Sequence, residues 1–277
     1  MIFVGGTGRS GTTIVGKVLE QYAKLTVLFE PRFLTDPQGL MDYLTNPNVT
    51  ADQVGEALQA KFLPKLLNNF LLRTNLASPA HVYKAKVVAA LWLKATRTAA
   101  PRSEQVRRFT LSMARLYRRD ASFHTLVYKE PHVILWARAL LVPFPGAHLV
   151  HLIRDPRDVC ASVLGVNWGP QTPEDFVPWY LTLSRNAWEH MQGYPQEQYH
   201  VLSLEALVDD PEHQIAALYS WLNLHPPHKV ILAGAKLIEQ SQAHIGRYQE
   251  DLTPEMAESI NAACQESYQQ WLDLSIA

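Results

Sequence analysis

A glycine-rich turn near the start of the chain has the residue types that bind phosphate. Residues 6–13 are GTGRSGTT and follow the short apolar run Ile2 to Val4. Backbone N–H groups at the start of the next helix, with the hydroxyls of Ser10, Thr12 and Thr13, form an anion-binding nest that the helix dipole strengthens. The turn departs from the Walker A pattern at one residue, because Thr12 stands where that pattern has lysine. The missing lysine weakens an assignment to nucleoside triphosphates.

A second candidate anion site lies in the stretch HLIRDPRDVCASVLG at residues 151–165. Arg154 follows an apolar strand and carries a long cationic side chain, and Ser162 comes eight residues later. On a helix that separation is about 12 Å, so both reach one phosphate only if the helix runs back past the arginine head. Asp155 is a natural N-cap and Asp158 falls near the third helical position, so both are expected to be structural.

Five apolar runs predict the strands that position these residues. They lie at residues 2–4, 25–29, 125–131, 147–156 and 199–204. Because they alternate with helical patterns, they predict an α/β, P-loop-like three-layer fold with a parallel sheet and helices on both faces. Ligands bind beyond the carboxyl ends of such strands. The residues that follow the strands are Gly6 to Thr13, Glu30, Lys129 to His132, Arg154 to Asp158 and the segment after Leu204.

Apolar residues at helical spacing fill residues 40–122, where no strand pattern occurs. We interpret this region as a helical insertion in a single domain that spans residues 1–277. Thr253 and Pro254 form an N-cap and first-turn pair for a closing helix. Its buried face is expected to contain Met256, Ile260, Ala263 and Trp271.

Composition limits the classes of partner. The formal net charge of −1 gives no global attraction to nucleic acid or to anionic membranes, so an anion site must be a local cluster of cations. Cys160 and Cys264 are the only cysteines and lack metal-ligand spacing. No apolar run approaches the length of a membrane span, and the N-terminal apolar stretch does not resemble a leader. These features predict a soluble, cytoplasmic protein without a metal site.

Two of these stretches resemble a known family. GGTGRSGTT at residues 5–13 is similar to the 5′-phosphosulfate loop, and RDPRDVCAS at residues 154–162 to the 3′-phosphate motif, of sulfotransferases that use 3′-phosphoadenosine 5′-phosphosulfate (PAPS). The likeness is closest to the bacterial and tyrosylprotein branches. VYKEP, VLSLEALVDDP and GRYQEDLTPE resemble further family segments, in the family's order. The resemblance covers the chain except the helical insertion.

The resemblance implies which residues bind the donor. PAPS would be the sulfuryl donor and 3′-phosphoadenosine 5′-phosphate (PAP) the product, and no metal is required. Arg9 takes the place of the cation beside the 5′-phosphate, and Arg154 and Ser162 resemble the pair that binds the 3′-phosphate. The full set of expected donor ligands is Gly8, Arg9, Ser10, Gly11, Thr12, Thr13, Arg154, Ser162 and Arg247.

The same resemblance implies catalytic roles. Sulfuryl transfer needs a base for the acceptor hydroxyl and a cation for the leaving oxygen. Glu30 follows the second strand, as the catalytic glutamate of the tyrosylprotein branch does, although its context there is G-E-E-T-R and here is FEPR. Glu130 and His132 are the rival bases. Lys129 resembles the lysine that stabilises the bridging oxygen, and Arg9 adds charge within the loop.

The acceptor is left open among a small molecule, a glycan and a lipid with a hydroxyl or amine. The helical insertion is expected on the acceptor side, where its arginines suggest an anionic acceptor or only a solvated helix face. Trp168, Trp179 and Tyr180 are candidates to stack on an acceptor, with core packing expected for at least one. Two alternatives remain: a magnesium-dependent nucleotide kinase, which Thr12 disfavours, and a nucleotide-binding partner protein without catalysis.

Overall fold

The computed structural model describes residues 1–62, 80–117 and 125–275, and within them five parallel strands form one sheet in the order β2-β3-β1-β4-β5. The central strand pairs Val4 with Lys129 of β3 and Gly6 with Leu152 of β4. This arrangement confirms the predicted fold class. The strands are β1 (Ile2–Gly6), β2 (Leu25–Phe29), β3 (Thr125–Lys129), β4 (His148–Ile153) and β5 (Tyr199–Ser203).

Helices cover both faces of this sheet. Short 3-10 turns lie at Pro131–Trp136, Gln196–Gln198 and Gln242–His244, and a π turn at Leu58–Phe62. The α-helices of the described residues are α1 (Thr12–Glu20), α2 (Leu40–Thr45), α3 (Ala51–Ala57), α4 (Ala80–Thr96), α5 (Arg102–Tyr117), α6 (Ala137–Leu140), α7 (Pro156–Val163), α8 (Pro173–Met191), α9 (Leu204–Asp209), α10 (Pro211–Trp221), α11 (His228–Glu239), α12 (Tyr248–Asp251) and α13 (Pro254–Ser275).

Side chains of each strand alternate between the two faces, as the pleat requires. Ile2 and Val4 of β1 pack with α1, α10 and α11, whereas Phe3 packs on the opposite face with α5. In β3, Val127 joins the first face and Tyr128 the second. Because both faces are buried, the strands have continuous apolar sequences without polar alternation.

The connections place a crevice at the carboxyl ends of β1 and β4. The connection from β1 leads to β2 at one edge of the sheet, whereas the connection from β4 leads to β5 at the other. Adjacent strands whose connections diverge in this way leave space for a ligand beyond their carboxyl ends. The glycine-rich turn follows β1, and Arg154 follows β4, so both face this crevice.

The predicted insertion is helical in the residues that the structure describes. Its helices α2, α3, α4 and α5 bury Trp92 and Phe109 against the same core as Phe3. Residues 63–79 and 118–122 of this prediction lie outside the described residues.

The closing helix α13 begins at Pro254, as predicted, and Thr253 caps it by accepting a hydrogen bond from the Met256 N–H at 3.3 Å. Its buried face contains Ile260, Cys264 and Trp271. Met256 and Ala263 are exposed, so their predicted place on that face was wrong.

None of the helices within residues 1–62, 80–117 and 125–275 combines the length and the apolar character needed to span a lipid bilayer.

Candidate functional site

A cavity of about 390 Å³ opens at the carboxyl ends of the strands. It lies beside the glycine-rich turn, and Glu30, Glu130 and His132 also line it. The structure therefore brings together segments that are far apart in sequence. The predicted donor ligands that line the cavity are Gly8, Arg9, Gly11, Thr12, Thr13, Arg154, Ser162 and Arg247.

Glycine is required at two positions of the turn. Gly11 caps α1 with a φ of +95°, and a Cβ atom there would lie 2.9 Å from Leu204. A Cβ atom on Gly8 would lie 2.6 Å from the ring of Trp168. Left-handed backbone and close approach are the conditions that select glycine. At Gly8 and Gly11 the turn therefore exposes its backbone to the cavity without a side chain in between.

Ser10 is the predicted donor ligand that does not line the cavity. Its side chain is fully buried, and its hydroxyl donates to the carbonyl of Thr7 at 2.7 Å. The hydroxyl therefore stabilises the turn from within. The predicted role of this side chain as a ligand has no support from its position.

Arg9, Arg154 and Ser162 form one end of the cavity, which we call the guanidinium end. Arg9 Nε donates to Ser162 Oγ at 2.8 Å, and Arg154 Nη1 donates to the Arg9 carbonyl at 3.1 Å. The positive φ of Arg9, 71°, directs its backbone into this arrangement. Helix α7 therefore brings Ser162 back toward the arginines. This is the direction that the helix must take if Arg154 and Ser162 are to reach one phosphate.

Arg154 is buried, with only 4% of its surface exposed. Its guanidinium donates to the His244 carbonyl and lies 3.5 Å from an oxygen of Asp158. Burial lowers the pKa of Arg154, against the opposing effect of Asp158. An arginine remains charged at neutral pH even so. Its Nε atom is buried without a hydrogen-bond partner among the described residues, and an orphaned buried donor of this kind is costly unless a ligand accepts from it.

Asp158 fixes the segment that carries Arg247. Its two carboxylate oxygens accept hydrogen bonds from the N–H groups of Gly246, at 2.8 Å, and Tyr248, at 3.0 Å. Arg247 pairs with Asp251 and lines the cavity. Asp158 is structural, as predicted, but it caps a distant segment of the chain.

Lys129, Glu30 and Thr13 form the other end, which we call the carboxylate end. Lys129 is 1% exposed, and its Nζ donates to Thr13 Oγ1 at 2.8 Å and to the Glu30 carboxylate. Burial by itself would raise the pKa of Glu30, but the charge and the hydrogen bond of Lys129, with the charges of Arg32 and His132, lower it from its ordinary value. Glu30 is therefore ionised at neutral pH and retains partial exposure to the cavity.

Glu130 has the opposite protonation state. One oxygen accepts a hydrogen bond from Tyr128 Oη at 3.1 Å, and the other is in hydrogen-bond contact with Thr35 Oγ1. Burial, followed by the charge of Asp36, raises its pKa to about 8. Glu130 is therefore mostly protonated at neutral pH, which argues against it as the base. Burial and the charge of Arg32 lower the pKa of His132, so its imidazole is neutral and remains chemically able to accept a proton.

Comparison with known proteins identifies the family. The model of the Sulfotransferase family matches residues 2–227. The chain belongs to the sulfotransferase family. Curated relatives are the omega-hydroxy-beta-dihydromenaquinone-9 sulfotransferases Stf3 of Mycobacterium bovis and Mycobacterium tuberculosis, each 30% identical over 112 residues. The match covers 36% of this chain and only 29% of either relative.

Solved structures share the fold at low identity. The sulfotransferase domain from the curacin biosynthetic pathway has a TM-score of 0.59 at 15% identity, with 97% of both chains covered. The sulfotransferase domain from the Synechococcus PCC 7002 olefin synthase has a TM-score of 0.57 at 18% identity, covering 99% of this chain and 93% of that one. These likenesses confirm the predicted sulfotransferase fold.

Three arginines of the insertion make local contacts. Arg102 donates to the carbonyls of Tyr43, Asn46 and Pro47 and lies over the Tyr43 ring. Arg107 and Arg108 both pair with Glu104 at 2.8 Å. Arg118 and Arg119 lie outside the described residues. Among residues 40–60 and 87–115, whose side chains the structure describes, none lines the cavity, so the acceptor-side location of the insertion stays a prediction.

The three aromatic residues that were predicted to stack on an acceptor differ in their exposure to the cavity. Tyr180 is buried in the core and Trp179 packs partly against it. Trp168 is 55% exposed and lines the cavity, so it alone of the three is placed to meet a ligand there.

Lys17 also lines the cavity, although it was not predicted as a donor ligand. It lies one helical turn after Thr13, so the two residues share a face of α1. That spacing is the feature of the sequence that could have identified it.

Proposed function

We propose that this chain transfers a sulfuryl group from PAPS to a hydroxyl, or an amine, of a small-molecule, glycan or lipid acceptor. Membership of the sulfotransferase family supports the reaction class. The observation that carries the proposal is the position of Lys129, whose ammonium contacts both the donor turn at Thr13 and the carboxylate of Glu30. One buried cation thus connects the anion-binding turn with the candidate base.

The guanidinium end fits a 3′-phosphorylated nucleotide. The unpartnered Nε of Arg154 is a donor that a phosphate oxygen would satisfy. Arg9 and Ser162 meet within hydrogen-bond distance beside it, so we assign the Arg9 side chain to the 3′-phosphate. This assignment replaces the 5′-phosphate role that the family resemblance implied for it. The backbone of the turn from Gly8 to Thr13 would hold the 5′-phosphosulfate, since helix N-termini attract anions.

When bound, PAPS supplies an activated sulfuryl group. Glu30 accepts the proton of the acceptor hydroxyl, because it is ionised and partly open to the cavity. Lys129 stabilises the negative charge that develops on the oxygen bound to the nucleotide, and Thr13 orients the ammonium. When the Glu30 carboxylate takes up a proton it loses its charge, so Lys129 interacts more strongly with the oxygen that leaves with the nucleotide.

The kinase alternative has weaker support. Thr12 begins α1 at the place of the Walker lysine and is a neutral, buried side chain. The name of the Stf3 relatives specifies an omega-hydroxy acceptor, which favours a hydroxyl over an amine here.

The test is a transfer assay with the purified protein. The protein is incubated with PAPS and a library of phenols, alcohols, sugars and amines, and mass spectrometry detects PAP and sulfated products. A parallel reaction contains ATP and Mg²⁺. We expect acceptor-dependent PAP release without phosphorylation. Phosphorylated products from ATP would support a kinase, and nucleotide binding without any product would support a partner protein.

A further inference from the structure

The turn that carries Glu30 has a strained backbone. Glu30 and Arg32, which flank Pro31, have φ values of 47° and 57°. For residues with a Cβ atom, this left-handed conformation costs about 1–2 kcal/mol each. Such strain persists only where surrounding contacts hold it in place. The 30–36 turn therefore needs an anchor beyond its own hydrogen bonds.

The anchor comes from the end of β3. Tyr128 Oη accepts a hydrogen bond from the Leu34 N–H at 3.2 Å and donates to Glu130 at 3.1 Å. Thr35 Oγ1 contacts the other oxygen of Glu130. Glu130 itself is fixed through its N–H, which donates to the Val4 carbonyl at 2.9 Å. These contacts are buried, so water does not compete for them.

We propose that Glu130 is a positioning residue whose carboxyl group holds the 30–36 turn against β3 and so keeps the Glu30 carboxylate at Lys129. The inference rests on the proposed role of Glu30 as base. Within the part of the chain that the structure describes, the Glu130 carboxyl group has hydrogen bonds with Thr35 and Tyr128 and none with the guanidinium end, so we expect its effect on the reaction to pass through the turn.

The charges around Glu130 support a protonated carboxyl group in this role. Burial, followed by the charges of Asp36 and Glu30, disfavours ionisation of Glu130, and these effects outweigh Arg32 and the hydrogen bond from Tyr128, which favour it. A protonated carboxyl group donates one hydrogen bond and accepts another, which matches two hydroxyl partners. Ionisation would place a third carboxylate beside Asp36 and Glu30. Because the pKa is about 8, the turn should loosen at alkaline pH.

The main test compares turnover against pH in the wild type, Glu130→Gln and Glu130→Ala, measured as PAP release from PAPS with an acceptor found in the library. Glutamine is the neutral isostere, so Glu130→Gln should keep turnover within about twofold at pH 7 and lose the decline near pH 8. Glu130→Ala should lower kcat by about 10–10²-fold, the cost of a misplaced catalytic group, with unchanged PAP affinity. An unchanged alkaline decline in Glu130→Gln, or full turnover in Glu130→Ala, would overturn the proposal.

Two further readouts need no acceptor. Infrared difference spectra of the wild type should show a protonated carboxyl band that disappears with a midpoint near pH 8 and is absent from Glu130→Gln. Thr35→Val should speed hydrogen exchange of the Leu34 amide, whereas the control Thr45→Val should not. If the band and the exchange behave as expected but no transfer occurs, the proposed function fails and the anchoring of the turn stands. If transfer occurs without the band or the exchange effect, only the anchoring is refuted.

Discussion

At the guanidinium end, Arg154 is buried with an unpartnered Nε, and Arg9 and Ser162 face the same cavity. At the carboxylate end, the ammonium of Lys129 already has two partners, Thr13 and Glu30. The first arrangement gains hydrogen bonds when an anion binds. The second must exchange partners as charge moves during a reaction. From this difference we expect affinity for the donor to depend mainly on the guanidinium end and the rate of transfer mainly on the carboxylate end.

The largest effect should come from the base. Glu30→Gln should lower turnover by about 10²–10⁴-fold, the usual contribution of a general base, and leave PAP affinity unchanged. Kinetics and calorimetry on the same preparation measure both quantities. Glu239→Gln, at the exposed end of α11, is the matched control.

The pH profile separates Glu30 from His132. Lys129 holds the pKa of Glu30 below that of an ordinary glutamate despite its burial, so wild-type turnover should persist as pH falls to about 5. An acid decline between about pH 5 and 6.5 would be typical of a histidine base. If His132→Asn removed such a decline, the role would pass to His132.

Lys129→Met should have the next largest effect. We expect turnover to decrease by about 10²–10³-fold, which is the usual loss when one group that stabilises developing charge is removed. Methionine preserves the length of the buried stem, and Glu30 is exposed enough to be solvated when its partner is lost. The exposed Lys94→Met on α4 serves as control. Equal loss of PAP affinity and turnover would show that Lys129 acts mainly in binding.

At the guanidinium end, Arg154→Ala should weaken PAP binding by about 10–10²-fold, because a charge-assisted hydrogen bond contributes about 1.5–3 kcal/mol. Binding of AMP, which lacks the 3′-phosphate, should change much less. The control is Arg157→Ala, three residues later on α7, since Arg157 pairs with Asp155 and lies over the Tyr248 ring outside the cavity lining. Equal losses for PAP and AMP would remove the 3′-phosphate assignment.

The smallest effect should be that of Ser162→Ala. Loss of one neutral hydrogen bond costs about 1 kcal/mol, or about fivefold in PAP affinity. Titration calorimetry resolves a change of this size. A loss as large as that of Arg154→Ala would mean that Ser162 also orients Arg9 through their 2.8 Å hydrogen bond.

Sequence alone predicted the sheet well because its strands are buried on both faces. Continuous apolar runs such as LTVLF at 25–29 have clear ends, and β2 occupies those residues. The carboxyl-end rule then identified Glu30, Lys129 and Arg154 as neighbours of one crevice. These predictions depend on local pattern and topology, which the sequence carries directly.

The sequence alone does not predict which side chains form hydrogen bonds with each other or with distant backbone groups. Nothing in its spacing shows that Asp158 binds the N–H groups of Gly246 and Tyr248, or that Glu130 contacts Thr35. The protonation state of Glu130 depends on burial and on Asp36, so its exclusion as the base needed three-dimensional contacts. Ser10 similarly has the right residue type for a phosphate loop, but its hydroxyl points inward.

Titration calorimetry of the wild-type protein with PAP, with AMP and with ATP plus Mg²⁺ tests the central claim most directly. The account predicts tight, metal-independent binding of PAP and at least about tenfold weaker binding of AMP, because only PAP reaches Arg154 through a 3′-phosphate. Preference for ATP with Mg²⁺, or equal affinity for PAP and AMP, would contradict it.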